Sequence, residues 1–305
     1  MPPVSVMIPA AFELPGGPPP EVRLLRWDCR GEPPAGIEDV QFWTPMMLAP
    51  PDLLATALPR LPRLEVVQLI SAGADLYAGK LPPGVRLYDG RGVHGGSTAE
   101  WVLTGLLAAI RELPRLTLAQ QDRRWDYAMT GELAGRRALV VGAGDVGEQV
   151  ARRLRAFDVD VAMVARTARH DAAGVADLPA LLPDADIVVL VVPLTDQTRG
   201  MVDAAFLARM KDGAILVNGA RGPVVVTDAL VAELASKRIT AVLDVTDPEP
   251  LPPDHPLWTV PGLLLTPHVA ASVTGFPARA MRLVRRQLDR WLGGEPLDNE
   301  VTGAY

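Results

Sequence analysis

The sequence predicts an α/β protein of two domains, each a parallel sheet covered by helices on both faces. Short, almost wholly apolar runs recur along the chain, as they do in strands buried on both sides. Stretches with apolar residues at helical spacing alternate with them, and such alternation builds parallel sheets through crossover helices. At 305 residues the chain is long enough to bury two cores.

Residues 4–8 read as the first strand. The run Pro15-Gly16-Gly17-Pro18-Pro19-Pro20 marks a loop, because proline and glycine interrupt both regular structures. Strands follow at 22–25, 40–43, 64–70 and 85–88, with a helical pattern between 50 and 61. These segments form a first, smaller domain. A long apolar helix over 98–113 crosses into the second, with Glu100 near its start, where the helix dipole favours an acid. Further strands are expected at 138–141, 160–164, 186–192, 214–217, 240–243 and 263–265. Thr227 is the expected N-cap of a helix over 227–236. An amphipathic helix over 277–292 ends at Gly293-Gly294. The expected domains are 1–98 with 275–305, and 99–274.

The second domain is organised around Ala138-Leu139-Val140-Val141-Gly142-Ala143-Gly144-Asp145-Val146-Gly147, which runs directly into a helical pattern. A strand, a three-glycine turn and a helix form the fingerprint of a dinucleotide-binding βαβ unit. Gly142 permits the tight turn, Gly144 lets backbone approach a pyrophosphate, and Gly147 lets helix and strand pack closely. The helix start, with Asp145 and Val146, offers N–H groups and a favourable dipole to phosphate. Asp145 is an odd residue beside a phosphate. In NAD-binding units an acid closes the second strand and holds the ribose hydroxyls. Here Ala165 is followed by Arg166, Thr167, Ala168 and Arg169. Two guanidinium groups and a hydroxyl suit a 2′-phosphate, so NADP is expected over NAD.

Composition excludes other classes. Hydrophobic residues make up 49% and charged residues 22%, as in ordinary globular proteins, and the net charge of −6 argues against nucleic-acid or membrane-surface partners. The single Cys29 offers neither an intramolecular disulfide nor a metal cluster. No apolar run suits a membrane span, and no basic-then-apolar leader opens the chain, so a cytoplasmic location is the default expectation.

Three later stretches carry reactive side chains, each just after a strand: Asn218-Gly219-Ala220-Arg221, Asp244-Val245-Thr246-Asp247-Pro248-Glu249 and Thr266-Pro267-His268. Ligands bind at the carboxyl ends of parallel strands, where an arginine, a carboxylate and a histidine can meet. With these stretches the chain resembles the D-isomer-specific 2-hydroxyacid dehydrogenases over nearly its whole length. Ser71-Ala72-Gly73-Ala74-Asp75 looks like the family's substrate loop. Val192-Pro193-Leu194-Thr195 with Thr198-Arg199-Gly200, and Met210-Lys211-Asp212-Gly213, are similar to its cofactor-domain signatures. Gly294-Glu295-Pro296-Leu297-Asp298-Asn299 resembles its return to the first domain.

The resemblance implies a flavodoxin-like substrate domain, a Rossmann cofactor domain and hydride transfer from NADPH to a small 2-keto acid. His268 would be the general acid, Glu249 would orient its imidazole, and Arg221 would grip the substrate carboxylate. Backbone N–H groups of Ala72, Gly73 and Ala74 would hold the same carboxylate. Pro193 and Thr198 would line the cofactor site, and Asp244 would contact the nicotinamide carboxamide. A homodimer is also implied, with Trp125 in the segment that reaches toward the partner in some relatives. The chain departs from the family at Asp89, where many members have an asparagine. His94, on the same loop, is either a ligand of a substrate oxygen or an ordinary loop residue. Arg91, His170 and His255 read as loop residues. The expected activity is a glyoxylate/hydroxypyruvate-like reductase. The alternatives are a phosphoglycerate dehydrogenase, which needs an extra cationic pocket, and a non-catalytic NAD(P)-sensing protein of the corepressor type. Glutamate at 249 disfavours a formate dehydrogenase, which has glutamine there.

Overall fold

The computed structural model describes residues 3–47, 50 and 52–302. The strands are β1 (Val4–Ile8), β2 (Val22–Arg26), β3 (Val40–Trp43), β4 (Val66–Gln68), β5 (Arg86–Tyr88), β6 (Arg137–Val141), β7 (Asp160–Ala165), β8 (Ala173–Gly174), β9 (Ile187–Leu190), β10 (Ile215–Asn218), β11 (Thr240–Leu243) and β12 (Leu263–Leu265). The α-helices are α1 (Leu53–Ala57), α2 (Gly95–Ile110), α3 (Leu113–Gln121), α4 (Asp145–Arg155), α5 (Leu178–Leu181), α6 (Ala204–Arg209), α7 (Thr227–Ala235) and α8 (Phe276–Leu292). The chain divides into two compact units, Met1–His94 with Thr274–Tyr305, and Gly95–Val273. The division falls at Gly95 rather than at residue 99 because α2 already begins there.

The first unit is a five-stranded parallel sheet in the order β2-β1-β3-β4-β5, the flavodoxin-like winding. Alternation along β1 assigns its side chains to opposite faces. Val6 and Ile8 join a core with Phe276, Met281, Val284 and Leu288 of α8, whereas Met7 joins one with Trp27, Trp43, Leu53 and Ala57. The fully buried Gln287 of α8 donates to Gln68 Oε1 at 2.8 Å and to the Asp298 carbonyl at 2.7 Å, and accepts from Asp298 N at 3.0 Å. Gln68 in turn donates to the Leu69 and Asp89 carbonyls at 2.8 and 3.0 Å. This satisfied buried network ties the end of the chain to the loops after β4 and β5.

The second unit is a seven-stranded parallel sheet in the order β12-β11-β10-β9-β6-β7-β8. Counted from β6 this is the Rossmann order with a seventh strand, and the winding reverses between β6 and β9. Ala138 and Val140 pack with Val102, Leu106, Val150 and Leu154, from α2 and α4. Leu139 and Val141 pack on the opposite face with Phe206, Leu207, Leu230 and Leu234, from α6 and α7.

Two local expectations are corrected. The helix over 98–113 is two helices: Glu112 takes a left-handed φ of 52°, ending the first run, and Pro114 stands in the first turn of α3, where its missing N–H costs nothing. Thr227 is the first residue of α7 rather than its cap, and its hydroxyl donates instead to the Asp247 carbonyl at 3.0 Å. Among the described residues no helix is long and apolar enough to cross a membrane, and no group of three His, Cys, Asp or Glu is arranged to hold a metal ion.

Candidate active site

The glycine turn follows β6 at the point where the winding reverses. Gly142 has φ 118°, and a Cβ there would lie 2.5 Å from the Val191 carbonyl oxygen after β9. A Cβ on Gly147 would collide with the Gly142 carbonyl, so α4 can start this close to β6 only with glycine. Gly144 is extended, caps α4 and is exposed, and a Cβ there would meet no protein atom within 4 Å. The turn is thus closed on its protein side by Gly142 and Gly147 and open at Gly144, beside the first amides of α4 including Val146. That arrangement fits a pyrophosphate. The Asp145 carboxylate occupies the space a Cβ on Gly95 would need, so it faces the start of α2. The dipole there favours an acid, which accounts for a carboxylate in this turn.

Arg166 and Thr167 are exposed just beyond β7. Arg169 folds back over the glycine turn: Nη2 donates to the Ala143 carbonyl at 2.8 Å, and Nε to Asp171 Oδ1 at 2.8 Å. The Arg169 hydrogen bond is the main cause holding the Asp171 carboxyl below its ordinary value. After β9, Thr198 Oγ1 donates to the Pro193 carbonyl at 2.6 Å and accepts from Thr195 N at 2.8 Å, closing the loop that carries both residues.

Arg221, Glu249 and His268 follow β10, β11 and β12, three adjacent strands. Buried Asn218 builds the first loop, accepting from Ala220 N at 3.0 Å and donating to the Arg221 carbonyl at 3.1 Å. The Arg221 Nη1 donates to the Ala220 carbonyl at 2.9 Å. A Cβ on Gly222 would collide with the Thr246 carbonyl, so the arginine and glutamate loops touch backbone to backbone. Glu249 Oε1 lies 2.5 Å from His268 Nδ1. Burial raises the Glu249 carboxyl, but the His268 hydrogen bond and charge, the Thr246 N–H and the Arg221 charge together hold it below its ordinary value. With Nδ1 committed to the carboxylate, Nε2 is the ring nitrogen left for a reacting group. Asp244 is 3% exposed, and its carboxylate accepts from Thr266 Oγ1 at 2.6 Å, Val269 N at 2.9 Å and Ala270 N at 2.8 Å.

In the first unit, Ala72, Gly73 and Ala74 lie in the loop after β4, where Ser71 Oγ donates to the Gly73 carbonyl at 2.9 Å. His94 is 6% exposed, its Nε2 lies 2.8 Å from the Ile70 carbonyl and its ring stacks on Phe276 at 5.0 Å. These contacts let His94 brace the loop after β4. Asp89 accepts from Arg91 N at 2.9 Å and pairs with Arg91 Nη2 at 3.2 Å, so it closes its own loop. Sequence reasoning quoted Asn218, Thr246 and Thr266 without a role and passed over Trp101. Asn218 and Thr266 stand at strand ends, a positional signal. Trp101 lies mid-helix and carried none.

A dinucleotide turn of this geometry, on a Rossmann sheet with an imidazole–carboxylate pair and an arginine at neighbouring strand ends, defines a nicotinamide-dependent dehydrogenase architecture. A sequence model of the D-isomer specific 2-hydroxyacid dehydrogenase NAD binding domain matches residues 103–270, and the chain belongs to that family. It is 36% identical over 251 residues to a glyoxylate reductase of Thermofilum pendens, covering 77% of this chain and 74% of that one. Among solved structures it is similar to a D-isomer specific 2-hydroxyacid dehydrogenase of Xanthobacter autotrophicus in complex with NADPH and MES. That match has a TM-score of 0.82 and 31% identity, and covers 99% of this chain and 98% of the other. It is also similar to an NADPH-dependent glyoxylate/hydroxypyruvate reductase of Sinorhizobium meliloti in complex with NADP and sulfate, with a TM-score of 0.81 and 28% identity, covering 97% and 98%.

Proposed function

We propose that this protein reduces small 2-keto acids of the glyoxylate and hydroxypyruvate kind to 2-hydroxy acids, with NADPH as the reductant. The observation that carries the reading is the His268–Glu249 pair at 2.5 Å with Arg221 close enough to lower the Glu249 carboxyl. A 2-keto acid has a carboxylate that needs a cation and a carbonyl oxygen that needs a proton donor. Arg221 binds the carboxylate, through two parallel N–H donors that match its two oxygens. His268 delivers a proton from Nε2 to the carbonyl oxygen, while Glu249 holds Nδ1 and so fixes the ring's orientation. The reduced nicotinamide, when bound, supplies the hydride that goes to the keto carbon. Gly144 and the first amides of α4 hold the pyrophosphate, and Arg166 with Thr167 holds the 2′-phosphate. The names of the relatives in Thermofilum pendens and Sinorhizobium meliloti support this substrate class. The direct test is a panel of 2-keto acids, each assayed with NADPH and with NADH by absorbance. Turnover with none of them would end the proposal.

Arg166 is the exposed cation after β7, whereas Arg169 is already bonded to the Ala143 carbonyl and Asp171. Arg166→Ala is therefore expected to raise the KM for NADPH by about tenfold and leave that for NADH nearly unchanged, the loss of one charge-assisted contact. Equal effects on both cofactors would remove the argument for a 2′-phosphate.

The assembly proposed is a homodimer. Trp125, Tyr127 and Met129 are 97%, 84% and 90% exposed, a cluster too apolar to favour water. The segment is nevertheless anchored, because Arg115 pairs with Glu112 at 2.6 Å and Asp126 at 2.5 Å. An ordered segment with bare aromatic side chains suits burial against a second copy. Light scattering after gel filtration is expected to give about twice the 32.6 kDa chain mass, and the monomer mass for Trp125→Asp with Tyr127→Asp. A monomeric wild-type protein would refute the assembly.

A further inference from the structure

The indole of Trp101, on α2, touches both loops that carry the proton donor and the arginine. Its Nε1 donates to Thr266 Oγ1 at 2.9 Å. Its ring lies over Gly219, where an added Cβ would be 3.4 Å from Cζ3, at the start of the loop that leads to Arg221. Thr266 has a single hydroxyl proton, and two acceptors are near: Asp244 Oδ1 at 2.6 Å and the Leu243 carbonyl at 3.5 Å. The N–H from Trp101 occupies one lone pair of the hydroxyl and turns its proton toward Asp244. The Asp244 carboxylate then accepts the backbone N–H groups of Val269 and Ala270, and the Asp244 carbonyl accepts His268 N at 2.7 Å. His268 is clamped on both sides by one residue, in the left-handed conformation with φ 54° that β-carbon side chains seldom adopt.

We propose that Trp101 is a positioning residue for the reduction, acting through Thr266 and Asp244 to hold His268 in its left-handed conformation and, through ring contact, to seat the Arg221 loop. This rests on the keto acid reduction proposed above. Trp101 meets no reacting atom in this account. Its effect falls mainly on the rate of the bound complex, because proton transfer is sensitive to small displacements of the donor, whereas Asp244 would supply only one of the many contacts that hold the cofactor.

The experiment uses Trp101→Phe, which keeps an aromatic ring and deletes the N–H, and Thr266→Val, which keeps the volume and deletes the hydroxyl. Each is expected to lower kcat for keto acid reduction by about tenfold, with the NADPH dissociation constant, read by fluorescence, unchanged within about twofold. The double variant is expected to be no slower than the slower single one, since both break the same chain of bonds. The imidazole resonance of His268, in protein labelled with 15N-histidine, is expected to shift in both variants. Wild-type kcat in Trp101→Phe, losses that multiply in the double variant, or an unmoved His268 resonance would each overturn the proposal. If Trp101→Phe fails to fold, Thr266→Val alone decides by its kcat and its resonance. If the wild-type protein reduces no keto acid, the proposed function fails, while the resonance still tests whether Trp101 positions His268.

Discussion

His268→Ala is expected to lower the rate of keto acid reduction by about 10²- to 10⁴-fold, the usual contribution of a positioned general acid, and to leave NADPH binding intact. The residues proposed to hold the pyrophosphate and the 2′-phosphate belong to the glycine turn and the loop after β7, and the His268 side chain bonds instead to Glu249. Glu249→Gln should fall in the same direction by a smaller factor, because a neutral amide can still accept a hydrogen bond from Nδ1 but brings no charge. The pH dependence follows from the carboxylate. The folded Glu249 carboxyl lies below its unfolded value, with burial opposing and His268, Thr246 and Arg221 prevailing. Its ionic contribution is therefore complete above the ordinary glutamate pKa of about 4.3 and is lost only as pH falls through the lower folded value. Urea denaturation at a series of acid pH values should show wild-type stability falling more steeply below that range than Glu249→Gln. Full turnover in His268→Ala would refute the acid assignment, and parallel denaturation curves would refute the coupling.

Arg221→Ala is expected to reduce kcat/KM for the keto acid by about 10²- to 10³-fold, as removal of a single charge-stabilising donor does elsewhere. Both parameters should suffer, since in the proposed reaction the guanidinium would hold the carboxylate in the ground state and polarise the carbonyl in the transition state. Arg221→Lys should recover little, because an ammonium cannot present two parallel donors to a carboxylate. Fluorescence titration with NADPH should be unaffected. An unchanged KM and kcat in Arg221→Ala would remove the arginine from the mechanism.

Much of this protein is legible in its sequence because the relevant physics is local. β6 is buried on both faces, so its run from Ala138 to Val141 is apolar without alternation, and the glycines at 142 and 147 are required by backbone closeness that no other residue permits, whereas Gly144 leaves the turn open on its outer side. The residues at strand ends were legible for the same reason: in a parallel sheet the carboxyl ends lie together, so Arg221, Glu249 and His268 fall on one edge once β10, β11 and β12 are recognised. The boundaries of α2 were read less well, because it starts on Gly95-Gly96, which have low helix propensity, and because a single left-handed residue, Glu112, separates it from α3. Nor was the role of Thr227, whose hydroxyl chooses a carbonyl 20 residues away over its own helix.

The sequence by itself determined two parallel sheets covered by helices and the nucleotide turn, and through its family resemblance it named the windings and the groups proposed to exchange a proton and grip a carboxylate. Only the tertiary structure decided which way those groups face. It turned Asp145 from the phosphate site toward the start of α2, committed His94 to the Ile70 carbonyl, folded Arg169 onto Ala143 and joined Trp101 to Thr266 across 165 residues of chain. Each of those outcomes depends on a hydrogen-bond or packing partner distant in sequence, and neither composition nor periodicity carries information about such a partner.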